Sequence, residues 1–185
     1  QIAVQHGCRA TFMPKAWTEQ SGSGMHVHTS LNANGSNAFA SSNGAPNELM
    51  SHWLGGLLEH ALAMTLIGSP TPNGGRRIRP YTFAPTHIHW GLDNRSVLAR
   101  CICEGGSPNR VEYRSAGADA NPHLIVASIL AAGADGVDPE HAAVVAVNVQ
   151  FQKSGVVAQN VAAGDIPEPG DPGLIWNFLF RQFVF

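Results

Sequence analysis

The sequence predicts an α+β fold, and three observations carry that expectation. Short stretches alternate between apolar and polar residues, as strands do when their two faces differ. Two longer segments, 46–67 and 122–134, carry apolar residues at helical spacing. The chain as a whole is rich in turn formers, with Gly at 20 and Pro at 12.

In chain order, residues 9–14 read as a short strand that Pro14 ends. Gly22-Ser23-Gly24 leads into a second strand, with Met25, Val27, Thr29 and Leu31 on one side and His26, His28 and Ser30 on the other. The two histidines then stand about 7 Å apart on one face. They suit a bound metal-nucleotide, and they suit hydrogen-bonded histidines in a half-buried sheet equally well. Residues 32–45, rich in Asn, Ser and Gly, form a loop. Pro46-Asn47-Glu48 opens a helix expected to run to about Ile67, with Leu49, Trp53, Leu57, Leu58, His60, Ala61 and Met64 as its stripe. That stripe is core. Residues 68–75 break the helix.

His87 and His89 form a second alternating pair, and residues 90–96 a tight polar turn holding Arg95. A strand over 97–103 carries Arg100, and residues 105–109 make the hairpin into a last strand, Arg110 to Arg114. Asn121-Pro122 starts the second helix, and periodicity is weak from Gly136 onward.

Length and composition set bounds. A chain of 185 residues is one domain or part of a larger one. Charged residues make up 13%, about half the usual share, which suggests a surface partly covered by other protein. A net charge of -2 gives no reason to expect nucleic acid or a membrane surface as partner. Cys8, Cys101 and Cys103 are odd in number and lack metal-type pairing, so reduced thiols in the cytoplasm are the economical expectation. The apolar run 174–185 is interrupted by Asn177, Arg181 and Gln182 and is too short to span a bilayer.

Charge is unevenly placed. Arg76, Arg77, Arg79, Arg95, Arg100, Arg110 and Arg114 are seven of the eleven basic residues, with Asp93, Glu104 and Glu112 opposing them. Such clustering points to a bound anion, because the guanidinium fork bonds phosphate or carboxylate oxygens in pairs. On a strand, Arg110, Glu112 and Arg114 share one face. The bland alternative is a solvated ladder of alternating charge, worth little to stability.

As a set, these motifs resemble the glutamine synthetase superfamily. Gly22-Ser23-Gly24-Met25-His26-Val27-His28-Thr29-Ser30-Leu31 looks like its glycine–histidine signature. Asn94-Arg95-Ser96, Arg100, Arg110-Val111-Glu112-Tyr113-Arg114 and Asp119-Ala120-Asn121-Pro122-His123-Leu124 follow in the family's order. The resemblance covers about residues 9–136 and implies a curved, mainly antiparallel sheet backed by helices. It implies an ATP-dependent ligase that phosphorylates the side-chain carboxylate of glutamate and lets an amine displace the phosphate. By the resemblance, His26 and Glu112 hold one divalent metal, Mg2+ or Mn2+. His28 and Ser30 contact the nucleotide, and Arg95, Arg100 and Arg110 line the phosphoryl groups. Gly22, His26, Arg77 and Arg114 contact glutamate.

Three departures shape the expectation. Ammonia-using relatives carry a flap ending in Glu-Ala-Pro, where this chain has Phe83-Ala84-Pro85. That resembles the branch joining glutamate to polyamines or alkylamines and makes Phe83 the residue for amine specificity, with ammonia the alternative. The family's earlier half, with its other carboxylate ligands, does not precede Gln1 here, so residues 1–138 read as a partial catalytic domain. Residues 139–185 are expected not to match the family. Stacked rings of identical subunits are the expected assembly, and a relative that only binds nucleotide or partner subunits is the non-catalytic alternative.

Overall fold

The computed structural model describes residues 1–103, 108–137, 146–154 and 157–160. It holds helices α1 (Ile2–Gln5), α2 (Glu48–Glu59), α3 (Ala61–Gly68), α4 (Pro72–Arg77) and α5 (Pro122–Gly136). Its strands are β1 (Cys8–Thr11), β2 (Gly24–Ala33), β3 (Ser36–Asn37), β4 (Trp90–Leu92), β5 (Ala99–Ile102), β6 (Arg110–Tyr113), β7 (Ala146–Ser154) and β8 (Val157–Asn160). The α+β fold expected from the sequence is present. Six strands form the main sheet in the order β3-β2-β6-β5-β4, with β7 also on β2, while β1 and β8 pair separately. Among the described residues only the β4–β5 pairing is parallel.

Register turns the alternating sequence into two unlike faces. Val27 opposes Tyr113 and Thr29 opposes Val111, and on that face Met25, Val27, Leu31, Ala99, Cys101, Val111 and Tyr113 join the hydrophobic core. His28 opposes Glu112, and Arg100 opposes Glu112 from the other side, so the charged residues gather on the opposite face. Helix α2 supplies Met50, Trp53, Leu54 and Leu57 to the core, and α5 supplies Ile125 and Ile129. Each such side chain contributes about 1.5–3 kcal/mol by leaving water.

The two long helices approach closely because glycines line their crossing. A Cβ at Gly136 would lie 2.5 Å from Gly56 N, and one at Gly133 would lie 2.5 Å from the Trp53 ring. Asn47 and Asn121 cap α2 and α5 through their side-chain oxygens, which accept from Met50 N and from His123 N and Leu124 N.

The structure corrects several sequence-based boundaries. The helix expected over 46–67 breaks at His60, where ψ is 4° and the ring lies 2.7 Å from Asp135 on α5. Residues 90–92, expected in a turn, form β4, because Ala99 N–H donates to His89 O and brings the segment alongside β5. His87 and His89 do not alternate on a strand; their rings stack at 5.6 Å. The expected hairpin at 105–109 falls mainly, and the apolar run 174–185 wholly, outside the described residues. No helix among the described residues is long and apolar enough to cross a membrane.

Candidate active site

Glu112 is the centre of the charged face. It is 1% exposed, and its two oxygens meet residues of two other strands and Arg114 just past β6. Oε1 lies 2.9 Å from His26 Nδ1 on β2, 3.9 Å from His28 Nε2, and accepts from Arg114 Nη1 at 2.6 Å. Oε2 accepts from Arg100 Nη1 of β5 at 3.0 Å. Burial alone would raise the Glu112 pKa, but the hydrogen bond with His26 and the charges of His26, Arg114 and His28 bring it down to about 2. Burial lowers the pKa of His26, against the opposing pull of Glu112. The Glu112 carboxylate is thus held anionic, and the imidazole beside it is shifted toward its neutral form, two directions that favour cation binding.

These groups are too buried and too convergent for the solvated ladder that the bare charge pattern also allowed. Arg100 and Arg114 pair with the carboxylates of Glu112 and Asp93 while Arg110 bonds His28 instead, so these five charged groups keep a surplus of one positive charge. That surplus suits an anionic ligand.

The other candidates fall around this centre. Arg110 reaches back to His28, Nε to Nδ1 at 3.4 Å, and Ser30 follows half-buried on the same strand face. Arg95 lies exposed in the turn after β4, and its charge bears on Arg114. Arg77 is buried and donates to the carbonyls of Ser115 at 2.8 Å and Arg114 at 3.1 Å. Burial and the neighbouring charge of Arg114 lower its pKa to about 10.

The glycines of the Gly-Ser-Gly motif make room for Arg77. A Cβ at Gly22 would lie 2.6 Å from Pro14 O and 2.8 Å from Arg77 Cγ, and one at Gly24 would lie 2.5 Å from Arg77 Nη2. Phe83 is 71% exposed, and its carbonyl accepts from Arg114 Nη2 at 3.4 Å. The structure therefore brings His26, His28, Arg100, Arg110, Glu112 and Arg114 into one cluster, seats Gly22 and Arg77 beneath its end, and leaves Arg95 and Phe83 at its rim.

One member was missed by sequence reasoning. Asp93 bonds Arg100 through both Nε, at 2.9 Å, and Nη2. Its signal was present, since it is one of only three carboxylates in the arginine-rich stretch.

Comparison with known proteins agrees with this geometry. The chain matches the family model for the glutamine synthetase catalytic domain over residues 1–162. It is 43% identical over 136 residues to the glutamine synthetase of Pyrococcus furiosus, covering 74% of this chain and 31% of that protein. It is 39% identical over 140 residues to the gamma-glutamylputrescine synthetase of Escherichia coli, covering 75% of this chain and 30% of that one. Plasmodium falciparum glutamine synthetase superposes on 68% of this chain and 25% of its own, with a TM-score of 0.63 and 28% identity. The chain belongs to the glutamine synthetase catalytic-domain family. It spans about a third of the length of the curated relatives it matches.

His26 and Glu112 set an imidazole nitrogen and a carboxylate oxygen 2.9 Å apart, two donor types that a divalent cation accepts. Among the described residues no group of three or more His, Cys, Asp or Glu is arranged to hold one.

Proposed function

We propose that this chain is the catalytic-domain part of an ATP-dependent ligase that joins an amine to the side-chain carboxylate of glutamate through a γ-glutamyl phosphate. The observation that carries the reading is the buried Glu112 carboxylate, anionic among His26, Arg100 and Arg114. His26 and Glu112 would hold a Mg2+ or Mn2+ ion, whose charge offsets that of the phosphoryl group in transfer. Arg95, Arg100 and Arg110 would take the phosphoryl oxygens, with His28 and Ser30 toward the nucleotide. Arg114, supported from below by Arg77 and Gly22, would bind glutamate. The acyl phosphate carbon is then attacked by the amine, and inorganic phosphate leaves.

The rest of the metal set and the nucleotide site belong to a longer chain or a neighbouring subunit in this reading. Stacked rings of subunits in the cytoplasm complete it.

Phe83 supports an amine larger than ammonia. A phenyl ring offers no carboxylate to draw in ammonium and deprotonate it, but it packs on alkyl methylenes or against a cationic head group. Ammonia is the second reading, favoured by relatives such as the Pyrococcus and Thermus thermophilus proteins, which carry the name glutamine synthetase.

Phosphate release by the native enzyme with ATP, glutamate and a panel of amines tests both readings. Release that requires glutamate and is faster with a polyamine or alkylamine is expected. Release fastest with ammonia selects the second reading, and no glutamate-dependent release refutes both.

A further inference from the structure

Arg100 is held from two sides, by the buried Glu112 and by the exposed Asp93. Its Nη1 donates to Glu112, while Nε and Nη2 both donate to Oδ1 of Asp93. A guanidinium has five N–H donors. Three are engaged in these bonds, which leaves two to meet a ligand.

Asp93 is itself fixed for this contact. Its N–H donates to Cys101 O at 2.8 Å, beside Arg100 on β5. Its φ is 45°, in the left-handed region that residues other than glycine seldom occupy, although Asp tolerates it better than most. The Asn94 side chain accepts from Ser96 N at 2.8 Å and from Ser96 Oγ at 2.7 Å, closing the turn that follows. Backbone strain and a locked turn thus aim one carboxylate at one arginine.

We propose that Asp93 is a positioning residue for Arg100, setting the rotamer and the tilt in which that guanidinium meets the phosphoryl group. The proposal rests on the ligase reading above and adds a residue to it. Arg100 extends from a short strand by a long, flexible side chain, and a single bond to Glu112 leaves it free to swing about that bond. The second, two-donor bond to Asp93 removes the swing. An ordinary surface ion pair would contribute little. This one differs because the Arg100 side chain is 14% exposed and shares the fully buried Glu112, while Asp93, at 58%, reaches in from solvent.

The test compares Asp93→Ala, Asp93→Asn and Asp93→Glu in the assembled native enzyme. Rates are measured against ATP and against glutamate, with thermal midpoints alongside. Asp93→Ala should lower kcat/KM for ATP about 10- to 100-fold, the cost of misplacing one transition-state group. The KM for glutamate should stay within twofold and the thermal midpoint nearly constant. Asp93→Asn, which keeps one acceptor oxygen without the charge, should fall between, and Asp93→Glu should recover part of the loss.

A merely structural role would lower the thermal midpoint and all kinetic constants together, which would overturn the proposal. Unchanged kcat/KM for ATP in Asp93→Ala would overturn the role of Asp93 alone. Absence of glutamate-dependent phosphate release in the unaltered enzyme would overturn the ligase reading, and this role with it.

Discussion

The charged strand face and the flap residues before it meet at the hydrogen bond from Arg114 Nη2 to the Phe83 carbonyl, yet they are built on opposite principles. On the strand face every charge is placed by several partners. Glu112 alone answers to His26 on β2, Arg100 on β5 and Arg114 just past β6, and burial makes each of those bonds costly to lose. In the flap, Tyr81 and Phe83 are both exposed and both at positive φ, 62° and 58°. Little packing holds them. Chemistry shared by a family belongs in the first kind of region, where geometry is over-determined, and the choice of substrate belongs in the second, where a side chain changes without disturbing the core.

The largest effect that would break this contrast lies on the strand face. Glu112→Gln keeps the shape and removes the charge. Glutamate-dependent phosphate release in the native enzyme should fall about 100- to 1000-fold, the range for losing one preorganised electrostatic group. Stability should drop by roughly 2 kcal/mol, as for lost hydrogen bonds to charged groups, without unfolding. Arg100 and Arg114 keep their bonds to Asp93 and to the Phe83 carbonyl. Urea melts and rate measurements on the same preparation check both.

A smaller effect is expected from the flap. Phe83→Glu should shift the ratio of kcat/KM for ammonia to that for a larger amine about tenfold toward ammonia, one unit of transition-state discrimination. Stability should change by no more than about 0.5 kcal/mol, because an exposed side chain is exchanged. A ratio that does not move would return Phe83 to the role of a loop anchor.

The smallest is Tyr81→Gly, which relieves a left-handed backbone and removes a fully exposed ring. A gain of about 0.5 kcal/mol in unfolding free energy is expected, with the strain relief partly offset by the flexibility of glycine in the unfolded chain. A loss of stability there would mean that the flap is packed in a way the contrast denies.

The two regions also differed in how far the sequence revealed them. Strand alternation places His26 and His28 on one face of their strand, and Arg110, Glu112 and Arg114 on one face of theirs, because side-chain period in a strand is a local rule; the register that sets His28 opposite Glu112 is a non-local pairing that the alternation does not reveal. Arg77 was legible as a charged residue but not as a buried one, since its place depends on Gly22 and Gly24 more than fifty positions away clearing space for it. The break at His60 was hidden for the same reason. Its ring meets Asp135, seventy-five residues on, and nothing in the local periodicity announces that contact. Asp93 read as turn polarity, because the left-handed backbone that aims it at Arg100 leaves no mark in the pattern of residue types.

The central claim is that the buried charges are a ligand site and not a structural ladder, and Mn2+ binding tests it most directly. Titrating Mn2+ into the native enzyme with ATP present, followed by the fall in its free-ion paramagnetic resonance signal, should give saturable binding that Glu112→Gln loses while its circular dichroism stays native. Equal Mn2+ affinity in the two proteins would contradict the account and leave the Glu112 cluster as an ion-pair network that serves the fold alone.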